Sequence, residues 1–274
     1  MGKCILIASG KGGVGKSSIS AALGRSLADS GHRVCIVDMD IGLRGQDAFL
    51  GLEDRIVFDS HDVQSGLCNL QSALMDVNRS GKLFLLAAPQ FSRVKELEPN
   101  DFRDMVQELL EQFDFVIIDC PAGIERGLRG TLKAPIHEIL IVCTPDSLCI
   151  RDAERVISVV DKKSLPRPRL IVNRLIPGLI EKGEMYSARI CADTLDIQLV
   201  GEIPDDLNVY RAQLNHLSIM DIDCPARDAI VRISRRICGE QLTLPGFGKR
   251  RPWYRRMWDF MLESTVKEVK RIDR

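Results

Sequence analysis

The sequence predicts an α/β fold, a doubly wound and mostly parallel sheet with helices on both faces. Three observations predict it: short runs that are apolar on consecutive positions, helix-period segments between them, and run ends rich in glycine and aspartate. The apolar runs are Cys4–Ala8, Val34–Val37, Leu83–Ala87, Phe115–Ile118, Ile139–Cys143, Leu170–Val172 and Leu199–Ile203. Such runs fit strands covered on both faces, as in parallel sheets. Ser17–Ser30, Asp101–Gln112, Asp152–Val160 and Ala226–Cys238 read as helices. The second of these gathers Phe102, Met105, Val106, Leu109 and Leu110 on one face. Strand alternating with helix is the pattern of a doubly wound sheet, whose ligands sit beyond the carboxyl ends of the strands.

A chain of 274 residues with 45% hydrophobic residues is long enough for one large core. No linker-like stretch divides its middle, and no fixed-period repeat is visible. Basic and acidic residues balance at 38 each, but unevenly along the chain. Residues 245–274 hold nine basic and four acidic residues, a net +5 that leaves −5 on the remainder. The expected organisation is a nucleotide-binding domain over residues 1–244 and a basic tail over 245–274. The chain shows no secretion signal at its start and no apolar run approaching the ~18 residues of a membrane span. Its nine cysteines include no CxxC pair, and Cys4, Cys35, Cys120 and Cys143 lie in strand-like runs. Cysteine there acts as a small buried hydrophobe, and a reducing cytoplasm is expected.

The strongest motif follows the first strand. Gly10-Lys11-Gly12-Gly13-Val14-Gly15-Lys16-Ser17, continued by Ser18, satisfies G-x-x-x-x-G-K-[ST] between a strand and a helix. Its glycines let successive backbone N–H groups turn toward phosphate oxygens, and the following helix directs its positive end at the same anion. Lys16 is matched to the β- and γ-phosphates and the Ser17 hydroxyl to Mg²⁺, so ATP with Mg²⁺ is the expected ligand. Lys11 is a second lysine within the loop. With Lys16 already serving the loop's own phosphates, its charge is better used outward, toward a second nucleotide.

Two further strands end in carboxylates. Val37-Asp38-Met39-Asp40 places two acids at i and i+2, which on a strand share a face. Asp40 is assigned to orienting the attacking water and Asp38 to the metal's outer shell. Ile117-Ile118-Asp119-Cys120-Pro121 puts Asp119 at the usual metal position after an apolar strand.

Together with that loop, the segments VDMDIGLRGQD, IIDCPAGIERG, TPDSLCIRDAERV, IVNRL and VGEIPDD occur in order. They closely resemble the MinD/ParA family of deviant Walker-A ATPases, the MinD branch in particular, from about Met1 to Glu240. The resemblance implies an ATP-dependent sandwich homodimer in which Lys11 reaches the partner's phosphates. It implies that Asp40 positions water and that Asp119 belongs to the metal site. It also implies that Asn173 reads the adenine base, with Pro204 and its neighbours closing over it. Asp152 matches a region associated with the dimer face and partner docking. Turnover in such proteins is slow until a partner, a MinC- or MinE-like regulator, engages. One departure stands out. Gly45-Gln46 follow Arg44 where the family usually carries Asn-Leu, and glycine removes a side chain that could meet nucleotide or partner.

The tail reads Lys249-Arg250-Arg251-Pro252-Trp253-Tyr254-Arg255-Arg256, then a segment with a helical period. Tyr254, Met257, Trp258, Met261, Leu262, Thr265, Val269 and Ile272 share one arc, with Arg255, Arg256, Asp259, Glu263, Lys267, Lys270 and Arg274 opposite. Such a helix can lie in a membrane interface, and the basic cluster adds attraction to anionic lipid. Phe260 and Glu268 break the pattern, so packing on protein is the competing expectation. A peripheral protein on the inner face of the cell membrane, acting in division-site placement, is the leading expectation. A DNA-partitioning factor, a metal-cofactor carrier and a regulator of flagellar number remain as alternatives. No specific nucleic acid is expected, given the −5 charge of the body.

Overall fold

A computed structural model describes residues 2–41, 45–52, 54–90, 98–123, 126–215 and 217–247. The basic segment from residue 248 onward, Arg44 and His216 lie outside the described residues. Eight strands form one sheet: β1 Lys3–Ala8, β2 Val34–Asp38, β3 Leu74–Asp76, β4 Leu83–Leu86, β5 Phe115–Asp119, β6 Glu138–Cys143, β7 Arg169–Leu175 and β8 Gln198–Pro204. Their order is β3-β4-β2-β5-β1-β6-β7-β8, and all neighbours run parallel except β3 and β4. The helices are α1 Lys16–Asp29, α2 Gly45–Leu50, α3 Ser60–Gln64, α4 Leu70–Ala73, α5 Pro99–Gln112 and α6 Arg126–Thr131. They continue with α7 Ser147–Asp161, α8 Pro177–Lys182, α9 Ala188–Leu195, α10 Leu207–Leu214 and α11 Pro225–Ile237.

The expected doubly wound architecture is therefore present, and each of the seven apolar runs is a strand. The reason is burial on both faces. Every residue of β2, β5 and β6 is buried, because helices cover the sheet on either side. Helices α1 and α11 pack together over one face, and α7 and α9 pack together. Right-handed crossovers send α1, which leads outward from β1 to β2, and α7, which leads the other way from β6 to β7, to opposite faces. The short antiparallel β3 (Leu-Met-Asp) lacks a long apolar run and was not expected from the sequence. It pairs with β4 at the sheet edge, where all three of its residues are half-buried.

Close packing fixes particular residues. A Cβ at Gly24 of α1 would lie 2.7 Å from Cδ1 of Ile36 in β2, so glycine there lets helix and sheet approach. In β7, a register irregularity between Val172 and Leu175 accompanies Arg174 at φ 59°, a left-handed conformation for a non-glycine residue. It lies at the carboxyl end of the sheet, next to the loop that follows β1.

Strand β1 runs between β5 and β6 in the interior of the sheet. Leu6 has no exposed surface. Leu6→Ala is expected to lower unfolding free energy by about 2–5 kcal/mol, read as a drop in the urea midpoint at unchanged slope.

Candidate nucleotide site

The loop between β1 and α1 is shaped by its neighbours as much as by its own residues. Gly13 and Gly15 hold φ values of 77° and 94°, in the left-handed region where glycine is unstrained. A Cβ at Gly15 would come within 2.4 Å of Asn173 Nδ2, and one at Gly10 within 2.3 Å of the Asp152 backbone. The Asn173 amide also donates to the Val14 carbonyl at 2.8 Å. Strand β7 and helix α7 thus press the loop from one side, while the Gly123 N–H donates to the Ser9 carbonyl at 3.0 Å from the other. Helix α1 starts at Lys16 with Gly15 as its cap and no side chain bonded to its first N–H groups. Those donors and the helix dipole suit a phosphate.

Beyond the loop, two strand ends meet in register. Asp38 of β2 and Asp119 of β5 are paired positions of adjacent parallel strands, which brings their carboxylates together. Both are buried. One oxygen of Asp119, Oδ1, accepts from Lys16 Nζ at 2.6 Å and from the Ser20 hydroxyl at 3.0 Å. Lys16 Nζ also donates to the Ser17 hydroxyl at 3.2 Å. Burial, and then the negative charge of Asp119, push the Asp38 carboxyl up to about 7. The backbone N–H groups of Asp40 and Gln46 oppose that shift, donating to Asp38 at 2.9 and 3.1 Å.

The expectation that Asp38 and Asp40 share a strand face is corrected here. Strand β2 ends at Asp38, and the chain turns back so that the Asp40 N–H bonds the Asp38 side chain two residues earlier. Asp38 is buried, whereas Asp40 is half-buried. Burial raises the Asp40 carboxyl, Lys16 lowers it and Asp119 raises it again. The two acids therefore occupy different environments, although both stay within electrostatic reach of the Lys16–Asp119 pair.

Gln46 is the residue that sequence reasoning missed. It has no exposed surface, and its side-chain N–H groups donate to Asp119 Oδ2 at 2.7 Å and to the Ser17 carbonyl at 3.0 Å. The residue after Gly45, Gln46, turns its side chain to the chain's own Asp119 and Ser17. A visible signal existed: a polar residue stands in this segment where the family usually carries leucine. Its use depended on knowing that α2 packs against α1.

The remaining expected residues divide into two groups. Gly10, Gly12, Gly13, Val14, Gly15, Lys16, Ser17 and Ser18 lie together in the loop and first turn of α1, with Asp38, Asp119 and Asn173 around them. Lys11 is exposed on the same loop. Although burial opposes it, the Asp146 carboxyl is held low by the Thr144 hydroxyl, the Cys149 N–H and the charge of Lys11. Pro204 ends β8 beside Leu175, and the Asp205 N–H donates to the Leu175 carbonyl at 2.8 Å, which keeps this corner next to β7. A separate cleft lined by Arg167, Arg169, Asp196 and Gln198 lies at the amino ends of β7 and β8, away from the loop.

The donor set fits a nucleoside triphosphate with Mg²⁺. One hydroxyl and two carboxylates are hard oxygen ligands, few enough to leave the ion its waters and phosphates. Lys16 carries three N–H donors, and a phosphate can share them with Asp119 and Ser17.

The chain is similar to known proteins over most of its length. A family profile described as ParA, NUBPL iron-transfer P-loop NTPase, matches residues 1–237. The septum site-determining protein MinD of Bacillus subtilis strain 168 is 42% identical over 248 residues, 89% of this chain and 92% of that protein. MinD of Helicobacter pylori is 38% identical over 259 residues, 91% of this chain and 96% of its own. The structure of a MinC:MinD cell division complex from Aquifex aeolicus matches with a TM-score of 0.83 at 35% identity. It covers 90% of this chain and 100% of that one. MinD of Pyrococcus horikoshii OT3, solved with Mg-ADP, matches with a TM-score of 0.76 at 26% identity, covering 86% and 96%.

Gly10→Ala is expected to lower ATP affinity and melting temperature together, because the added Cβ meets Asp152 backbone rather than a movable side chain. Calorimetric titration and thermal melting would measure both, and unchanged values would show that α7 can withdraw at no cost.

Proposed function

The chain belongs to the MinD/ParA family of P-loop ATPases, and on that basis we propose a dimerising ATPase that couples its nucleotide cycle to reversible membrane association in division-site placement. Its reaction is hydrolysis of ATP to ADP and phosphate, with Mg²⁺ as cofactor. The observation that carries the reading is the buried Asp119 carboxylate, held by Lys16 beside Asp38 at the mouth of the glycine loop. That is an arrangement for phosphate and metal. All nine cysteines are free thiols, and among the described residues no cluster of three histidine, cysteine or acidic side chains suits a metal ion.

Within this reading Ser17 and Asp119 would hold the metal, with Asp38 in its outer shell, partly through water. The loop N–H groups of Gly10 to Ser18 and the Lys16 ammonium bind the phosphates. Asp40, half-buried and near Lys16, orients the attacking water. Asn173 spends its N–H on Val14, which leaves its carbonyl oxygen to accept from the adenine amino group, with Pro204 flanking the ring. Lys11 is exposed while Lys16 is buried, so its charge serves the phosphates of a second protomer. The backbone of Asp152 touches Gly10, which makes α7 responsive to the loop and fits it for a MinC- or MinE-like regulator.

The membrane part of the proposal rests on the sequence of residues 245–274. The chain just before the basic cluster is tied to the body. Arg236 donates to the carbonyls of Leu242 and Thr243, and Glu202 accepts the Gly246 N–H at 2.8 Å. Among the described residues, no helix is long and apolar enough to cross a membrane. A single amphipathic helix binds weakly, and a dimer presents two whose attachment gains from effective concentration. In this way ATP controls attachment.

Two measurements test these assignments. Lys11→Ala removes a charge-assisted contact worth ~1.5–3 kcal/mol, so the ATP-dependent dimer is expected to weaken by about 10-fold or more. Equal dimer fractions by analytical ultracentrifugation would exclude a cross-interface role. Co-sedimentation with anionic liposomes is expected to require ATP and to be lost in a chain ending at Leu244. No binding by the intact chain in either nucleotide would remove the membrane from the proposal, and salt-sensitive retention on DNA would favour partitioning instead.

A further inference from the structure

Gln46 does more than fill space beside the metal ligands. Both of its side-chain N–H donors are engaged, on the Asp119 carboxylate and the Ser17 carbonyl, and its backbone N–H is engaged on Asp38. One residue of α2 therefore bonds all three residues assigned to the metal. Its remaining polar atom, Oε1, is buried and has no hydrogen-bond partner among the described residues. A buried acceptor left unpaired is costly, and native proteins seldom carry one that nothing satisfies. Mg²⁺ sheds its waters reluctantly, and each water it holds is a polarised donor. A metal-bound water matches what Oε1 lacks.

We propose that Gln46 is a positioning residue of the magnesium site, aligning Asp119 and Ser17 through its amide N–H groups and accepting a hydrogen bond from a metal-bound water at Oε1. This inference rests on the nucleotide-site reading above. It makes α2 the element that senses metal, because the same residue is part of the helix and of the ligand shell. Asp38 strengthens that link by receiving the Gln46 N–H at the first turn of α2.

The test is calorimetric titration of ADP into the full chain, with Mg²⁺ and with EDTA, for the intact sequence and for Gln46→Leu and Gln46→Met. Both replacements keep an apolar volume close to glutamine and remove the amide. Substitutions at residues that orient metal ligands typically weaken metal affinity about 10- to 100-fold. The gain in ADP affinity on adding Mg²⁺ is therefore expected to shrink by about tenfold or more, with a much smaller change in EDTA. An undiminished Mg²⁺ gain would overturn the proposal. So would equal losses with and without metal, because those report packing alone. Failure of the intact chain to bind ADP under either condition would instead defeat the nucleotide-site reading. Should both variants fail to fold, a structure of the intact chain with Mg-ADP decides. A metal-bound water within hydrogen-bond reach of Oε1 upholds the assignment, and a protein donor on that atom overturns it.

Discussion

Asp119 is a carboxylate with no exposed surface, placed at the end of a strand whose other residues are apolar. A charge withdrawn from water in this way is tolerated only when it is paired and its remaining oxygen positions are hydrogen-bonded. Lys16 and Ser20 satisfy one oxygen and Gln46 the other. Those partners come from α1 and α2, so the pairing ties β5 to the phosphate loop and to the segment after β2. Removing one partner would leave a buried charge exposed to its full desolvation cost, which is larger than the net worth of the pair itself. The site and the fold are therefore coupled at this one group.

The same coupling explains how a phosphate loop is held in shape without a side-chain cap. Its glycines are required partly by backbone conformation, at Gly13 and Gly15, and partly by contact, at Gly10 and Gly15. The contacts come from α7 and β7, elements more than 130 residues away in sequence. A displacement of α7 is felt directly by the loop through the Asp152 backbone, and a displacement of β7 through Asn173. An interface that engages α7 thus has a short physical route to the phosphates, through packed backbone rather than through flexible side chains.

The carboxylates show how environment separates chemically identical groups. Asp38 and Asp40 are two residues apart, yet one closes a buried strand and the other stands in a half-buried turn. Burial and the neighbouring Asp119 raise Asp38, and two backbone N–H groups partly offset them. Such a group keeps its ionised form most readily beside a cation, and Lys16 supplies one. The half-buried Asp40 is open enough to meet water.

By itself the sequence determined the fold class, the seven parallel strands and the phosphate loop. Those features are written in local patterns: consecutive apolar residues, a 3.6-residue period, and a glycine motif between strand and helix. It also singled out Asp38, Asp40 and Asp119 as candidates, because acids that end apolar runs stand out. The in-register pairing of Asp38 with Asp119 depended on the strand order, in which β5 inserts between β2 and β1. The turn that parts Asp40 from Asp38 depended on where β2 stops pairing. Edge strand β3 is too short and too mixed in composition to show a period. Gln46 drew notice in the sequence only as a departure beside a glycine. It came to bond Asp38, Ser17 and Asp119 because α2 folds back on α1, and a glutamine's partners are set by what surrounds it in space rather than by its neighbours along the chain.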